Sequence, residues 1–359
     1  MKINYKFYSY KKLYMLFCIL AFSNIFFSTE NVFAKTFTIN DIEISTPFEI
    51  NFDKNKIIDN GFEQAFDQLI ISIVQTKNQE KLKKIPLKLI KGLIETFSIK
   101  EERFIDDIYY LTLNVSFNKK KLFNLLERKN IFPSLPAKKD ILFIPVILNE
   151  NTDEIYIFSE SDLFNLWNLD VKNYHLLKYI LPTEDLEDFN LIKQNSDNLE
   201  NYDFKEITKK YNLNDFIITI IFKNNGEIRV LNKINLNEKL DIKNLNFKNI
   251  DLNNEKETKR FIKNLKSIFE DYWKSKNEIN TSVKLPLTVS IDNQNNSKIS
   301  EFELVLTNID LIYDFSIYKF DNLNNIYKIV FNGSPDYFLK IMKDKNYEFN
   351  TQNKIWSVK

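Results

Sequence analysis

Few side chains in this chain can carry covalent or acid–base chemistry. His175 is its single histidine, so any Ser-His-Asp or Cys-His site would need it as the base. It stands between Tyr174 and Leu176 at the entry to an apolar run, a setting that favours a structural or surface role. The one cysteine, Cys18, lies in an apolar stretch near the start, which leaves no thiolate nucleophile or sulfur ligand in the rest of the chain. One histidine without cysteine cannot assemble the usual zinc sites. Gly61, Gly92, Gly226 and Gly333 are isolated from one another, so there is no phosphate-cradling loop, dinucleotide fingerprint or calcium loop. Carboxylates remain. Glu184, Asp185, Glu187 and Asp188 crowd together after Pro182, and a glycosidase acid and nucleophile could be drawn from them. Such pairs normally come from separate segments across a cleft. Residues this close at a helix start more commonly serve its electrostatics, with Asp185 and Asp188 as capping residues. The expectation is no catalytic residue, no metal and no cofactor.

The start of the chain carries an address. Lys2, Lys6, Lys11 and Lys12 precede the apolar Leu13–Phe27, and Val32-Phe33-Ala34 ends in a small residue. Positive region, short apolar region and small-residue boundary is the order of a secretory signal, with cleavage expected between Ala34 and Lys35. The stretch is shorter than the roughly 20 apolar residues that span a bilayer comfortably, so cleavage is favoured over a retained anchor and no stable membrane span is expected afterwards. Residues before Cys18 are not the small ones that lipid attachment requires. A chain beginning at Lys35 would hold no cysteine and hence no disulfide, and would rest on its hydrophobic core. Of 50 basic and 49 acidic residues, four lysines and Glu30 precede the boundary, which leaves a net charge of −2. That balance offers no field for a polyanion, so nucleic acid is not an expected partner. The hydrophobic share of 44% and aromatic share of 14% fit a globular protein.

Segments that could position these groups follow from periodicity. Phe37–Phe52 alternates as a strand, and Gly61 is read as opening a helix with Phe62, Ala65, Phe66, Leu69 and Ile73 on one face. A helix after Pro86, strands at Phe97–Arg103 and Ile108–Phe117, and a helix capped by Asn118 complete a small α+β domain over 35–136. Ile141–Leu148 reads as a strand buried on both faces, although Pro145 points to a sheet edge or the strand's end. Helices and strands then alternate, with a hairpin signal at Asn224-Asn225-Gly226 and a polar linker expected over the asparagine-rich 232–254. A long amphipathic helix follows, carrying Phe261, Ile262, Leu265, Ile268, Phe269 and Tyr272 on one stripe, and ends a central α/β domain over 137–280. The remainder, 281–359, is a C-terminal α+β, ββαβ-like unit with a helix opened by Ser334-Pro335-Asp336. The fold class is therefore α+β / α/β. Val115-Ser116-Phe117-Asn118, a helix and Asn130 are echoed by Ile329-Val330-Phe331-Asn332, a helix and Asn346; this pattern fits a duplicated unit or compositional bias alike.

Trp167, Trp273 and Trp356 have two readings: exposed anchors for a protein partner, or packing in the core and at domain junctions, the commoner use.

These segments resemble an uncharacterised family of exported proteobacterial proteins known as domain of unknown function 2066. The resemblance lies in the Ala65-Phe66 helix after the first strand, Ile108–Phe117 before a Leu125-Leu126 helix, and the apolar Ile141–Val146. It continues through Pro182, Asp185 and Asp188, Trp273-Lys274, and a late strand ending at Gly333 before Phe338-Leu339. Glu184 stands where that pattern has glycine. The central segment, with a helix ending at Tyr211 and Asn214-Asp215 leading into an apolar strand and hairpin, is similar to the amino-terminal domain of the Tol-system β-propeller protein. The first resemblance implies an exported protein, and the second implies one that binds other proteins of the cell envelope without catalysis; the reading is a periplasmic binding or assembly factor. The alternative is a carboxylate-dependent hydrolase of wall glycans.

Overall fold

The computed structural model describes residues 36–172, 174–292, 296–320 and 323–359. The expected signal segment and its boundary at Ala34 and Lys35 lie outside the described residues. Helices and three mixed or antiparallel sheets place the chain in the α+β / α/β class.

The first sheet begins with β1 (Thr36–Pro47), followed by α1 (Lys54–Ile73), a single turn α2 (Thr76–Gln79), α3 (Leu87–Leu93), β2 (Ile94–Ile105), β3 (Ile108–Asn118) and α4 (Lys119–Arg128). β3 lies between β1 and β2, antiparallel to both. Its alternation buries Tyr109, Leu111, Leu113, Val115 and Phe117 beneath α1, whose Ala65, Phe66, Leu69 and Ile73 face them. The expectation that Gly61 opens this helix is corrected. Asp53 caps it seven residues earlier in the chain's course, at Lys54, by accepting the Asn55 N–H at 2.9 Å. Gly61 sits in the helix interior because the helix meets the sheet there. A Cβ at that position would lie 2.5 Å from Leu113 and 2.7 Å from Ile44.

The central sheet contains β4 (Lys139–Asn149), β5 (Glu154–Tyr156), β6 (Leu177–Ile180), β7 (Phe216–Asn224), β8 (Glu227–Leu236) and β9 (Lys239–Lys248). Four helices accompany it: α5 (Asp162–Leu166), α6 (Leu186–Gln194), α7 (Lys205–Lys209) and α8 (Glu255–Lys276). β4 pairs in parallel with β7 along one side. Its other side pairs with β6 near the start and with β5 near the end. Pro145 falls in the gap between those two partners. The Lys139 N–H points to that side, toward Leu176, while the Leu142 N–H points toward β7, so by alternation the missing donor of Pro145 faces the gap. The strand is central, and the proline marks a local edge within it.

Helix α8 covers one face of this sheet, with Phe261, Leu265 and Phe269 on Phe143, Ile217 and Val230. The opposite face meets α6 and α7 through Ile192, Phe204 and Ile207. The polar linker expected at 232–254 is also corrected: it forms the end of β8, a two-residue turn with positive φ at Asn237 and Glu238, and all of β9. Leu245 and Phe247 pack toward the α8 core while Asn244 and Asn246 face solvent, a two-residue period hidden by the abundance of asparagine. The helix expected to end at Tyr211 is the short α7, which stops at Lys209.

The last sheet takes β10 (Leu285–Asp292), β11 (Ile312–Phe320), β12 (Asn324–Phe331), β13 (Phe349–Asn350) and β14 (Trp356–Val358), in the order β11-β12-β10-β14-β13. Helices α9 (Asn296–Asn308) and α10 (Pro335–Lys343) supply Phe302, Leu306, Phe338 and Met342 to its core. Ser334 caps α10 by accepting the Tyr337 N–H, and Pro335 occupies the first turn. Buried side chains of the first and last sheets form one continuous cluster, separate from the two that flank the central sheet. Among the described residues, no helix is long and apolar enough to cross a membrane.

Two glycines separate close approach from propensity. Gly61→Val is expected to overpack the α1–β3 contact and lose about 1–3 kcal/mol. Gly92→Ala, in α3 with nothing within 4 Å of the new methyl group, is expected to gain up to about 1 kcal/mol. Urea unfolding midpoints of the two variants check both signs.

Candidate functional site

The acidic segment is assembled by α6 and the chain around α7. Asp185 caps α6, accepting the Glu187 N–H at 2.8 Å. Glu184 turns away and accepts the Ser159 N–H at 3.2 Å. Phe204, with a positive φ of 53°, starts α7 and swings Lys210 back over the α6 start. The Lys210 ammonium then meets Asp188 at 2.7 Å, Glu187 at 3.0 Å and Asp185 at 3.1 Å. The Thr183 N–H, donated to the Tyr211 hydroxyl at 3.0 Å, closes the same two segments together.

These contacts determine what the carboxylates can do. The hydrogen bond from Lys210, followed by the Glu187 N–H, holds the Asp185 carboxyl below its usual range. Lys210 is held above its ordinary value, first by Asp188 and then by Glu187. Asp188 has no exposed surface, and its second oxygen, Oδ2, has no hydrogen-bond partner. Glycoside hydrolysis instead needs one carboxyl held protonated and another facing it across an open groove, roughly 5 to 9.5 Å away. The four acidic residues do not make that arrangement. Asp185 caps α6 as its position in sequence suggested, while Asp188, expected to share that role, joins Asp185 and Glu187 on Lys210.

His175 closes a turn. Its Nδ1 accepts the Lys172 N–H at 3.4 Å, and its ring lies edge-on to Tyr174. Burial and then the nearby Lys266 push its pKa down to about 4, so the imidazole is neutral at pH 7. Among the described residues, no cluster of three or more His, Cys, Asp or Glu side chains is placed to hold a metal ion.

The tryptophans require a correction as partner anchors. Trp167 is fully buried, stacked on Phe143 with ring centroids 3.8 Å apart. Trp273 is buried too, and its indole N–H donates to the Ala137 carbonyl at 2.7 Å. Trp356 is half-buried between Phe338 and Phe349. Two of the three rings thus fill the interior, and the third packs against the α10 core.

A different set of residues forms a buried titratable cluster. Lys266, Glu270 and Lys274 lie at four-residue spacing along α8, and all are buried. Lys266 donates to the Trp167 carbonyl at 2.5 Å, just beyond α5. Glu270 Oε1 accepts the Leu176 and Leu177 N–H groups at 3.0 and 2.9 Å. Lys274 reaches the Val74 carbonyl that ends α1, at 3.4 Å. Burial raises the Glu270 pKa, and the Leu177 N–H opposes that rise. Burial likewise lowers the two lysines. Each of the three side chains binds a backbone end.

The surface holds a second feature. Among the described residues, β2 is one unpaired edge of its sheet and is solvent-exposed along nearly its whole length, including Phe97, Ile99, Phe104 and Ile105. β11 is likewise one edge of the last sheet, with Ile317, Tyr318 and Phe320 exposed. Unpaired edges of this kind are templates for another strand.

Glu270 separates its acceptor role from its charge. Glu270→Ala is expected to cost about 1–3 kcal/mol by stranding two buried N–H groups, whereas Glu270→Gln keeps an acceptor and removes a charge disfavoured by burial. Because the folded pKa lies above the unfolded value, the wild-type contribution is complete below about pH 4.5 and falls as pH rises through the folded pKa. Denaturant unfolding above about pH 4.5 should show that decline in the wild type and not in the Gln variant. Comparison of the chain with known protein families finds no matching family model, and comparison with curated proteins finds no matching sequence.

Proposed function

We propose that the protein is an exported, periplasmic binding or assembly factor of the cell envelope that acts without catalysis. The observation that carries this reading is the pair of open sheet edges bearing exposed aromatic and branched apolar side chains, set beside carboxylates already committed to Lys210. Exposed apolar groups at unpaired edges suit strand addition by a protein partner. The lysine-flanked apolar start and the absence of cysteine after Cys18 support export and a disulfide-free envelope domain. The resemblance to domain of unknown function 2066 and to the Tol-system amino-terminal domain supports the same compartment and role. The proposed partner is an envelope protein.

Cell fractionation combined with amino-terminal sequencing tests the address. The expected product begins at Lys35 and is found in the periplasmic fraction; an intact cytosolic chain beginning at Met1 would overturn the proposal. Crosslinking in cells followed by mass spectrometry tests the role, with envelope proteins joined through lysines near β2 or β11 as the expected result. Release of soluble fragments from purified wall glycan by the protein would establish the hydrolase alternative instead.

A further inference from the structure

The first and last sheets repeat one module. In each, a strand, a helical connection (α1 to α3 in the first, α9 alone in the last) and two further strands are followed by a capped helix, and the third strand lies between the first and second, antiparallel to both. The registers of the β2–β3 and β11–β12 pairs agree residue by residue, whereas β1 bulges between Ile39 and Ile42 and β10 does not. Phe117 opposes Phe37 and Ile94, as Phe331 opposes Leu285 and Ile312. Ile99 faces Leu113 and Glu101 faces Thr112, as Ile317 faces Tyr327 and Lys319 faces Ile326. Both edge strands bulge at the same two steps: after Ile94 and Ile99 in β2, and after Ile312 and Ile317 in β11. Leu93-Ile94 and Phe97-Ser98-Ile99 recur as Leu311-Ile312 and Phe315-Ser316-Ile317. The helices that follow also end alike. Asn130 and Asn346 both have positive φ, and the next residue returns its N–H to Leu126 or Met342 at 3.0 and 2.9 Å.

Both modules leave the same strand at an open edge, and the two edges differ in charge. We propose that β2 of one chain pairs antiparallel with β11 of a second copy, joining two sheets into one. With Ser98 placed opposite Ser316, Phe97 faces Ile317 and Ile99 faces Phe315. These four side chains share the core-side face, because each opposes a buried position of its own central strand. The same alignment sets Lys100 opposite Asp314 and Glu95 opposite Lys319. Pairing β2 with itself about Ser98 would oppose Glu95 to Glu101, and pairing β11 with itself would leave Asp314 opposite Tyr318. Opposite charge therefore selects the unlike pair.

Lys100 now pairs with Asp41 at 2.5 Å, and Asp314 with Lys120 at 2.7 Å. All four side chains are substantially exposed, so exchanging these partners costs little. Bulges discourage indiscriminate edge pairing; here the bulged residues of one strand fall within one step of those on the other. Each chain carries both halves of the contact, so association is head-to-tail and ends only in a closed ring or at a chain terminus.

Sedimentation velocity of the full exported chain from about 1 to 100 µM tests the pairing. The wild type is expected to associate with increasing concentration. Lys100→Asp and Asp314→Lys are each expected to weaken association about tenfold, and the double exchange K100D/D314K to restore it. Restoration separates pairing from folding, since the double exchange also disrupts both intrachain ion pairs. A monomer throughout, association insensitive to either single exchange, or a double variant no better than the singles would overturn the proposal.

Discussion

Three charges buried along one face of α8 hold together parts of the chain that regular hydrogen bonding leaves unfinished. The carbonyl beyond α5, the N–H groups at the entry to β6 and the carbonyl ending α1 are separate backbone termini. Each would be costly to bury without a partner. Lys266, Glu270 and Lys274 satisfy them from one rigid helix, so the burial cost of the charges is offset by hydrogen bonds that no apolar residue could make. Asp271 extends the arrangement by accepting the Thr76 N–H at 2.9 Å, next to the end of α1. Helix α8 thereby fixes the central sheet on one side and meets the end of α1 on the other.

Buried polarity recurs inside the central sheet. Thr219 donates to Asn232 Oδ1 at 2.8 Å across β7 and β8, with both residues fully buried among apolar neighbours. A one-residue slip of either strand would move its member of the pair to the opposite face and leave each without the other. The sheet's apolar residues supply the bulk of its burial, and this pair distinguishes one register from its neighbours. The acidic knot around Lys210 plays a comparable part at the outer helices by holding the start of α6 to the segment following α7. Carboxylates that resemble chemistry in sequence thus complete local structure.

Local signals were legible where one residue decides the geometry. Asn118, Asp185 and Ser334 cap the helices they precede, and Asn225-Gly226 makes the tight turn between β7 and β8. The alternation of Ile108–Phe117 and the stripe on α8 likewise identified buried faces. What could not be read depended on distant partners. Gly61 looks like a helix start until Leu113 and Ile44 come against it. Lys266, Glu270 and Lys274 look like ordinary solvent positions until the backbone ends they bind are known. β9 was obscured by asparagine, whose abundance hides which positions alternate. The repeated Phe-Ser-Ile stood in the sequence, but its meaning came from matching bulges in the two edge strands.

The junction with the central sheet has a further consequence. The chain enters it through residues 133–135 and leaves through 277–279, and these stretches run side by side. Leu135 donates to Asn277 at 3.1 Å, Ile279 donates to Pro133 at 2.7 Å, and Ser134 bridges Glu278. An excursion whose two ends already touch imposes almost no loop-closure penalty on the framework it leaves, however long it is. The middle segment is therefore placed as a guest between two halves of one host, free to change in size or sequence while the shared core of the outer sheets stays as it is.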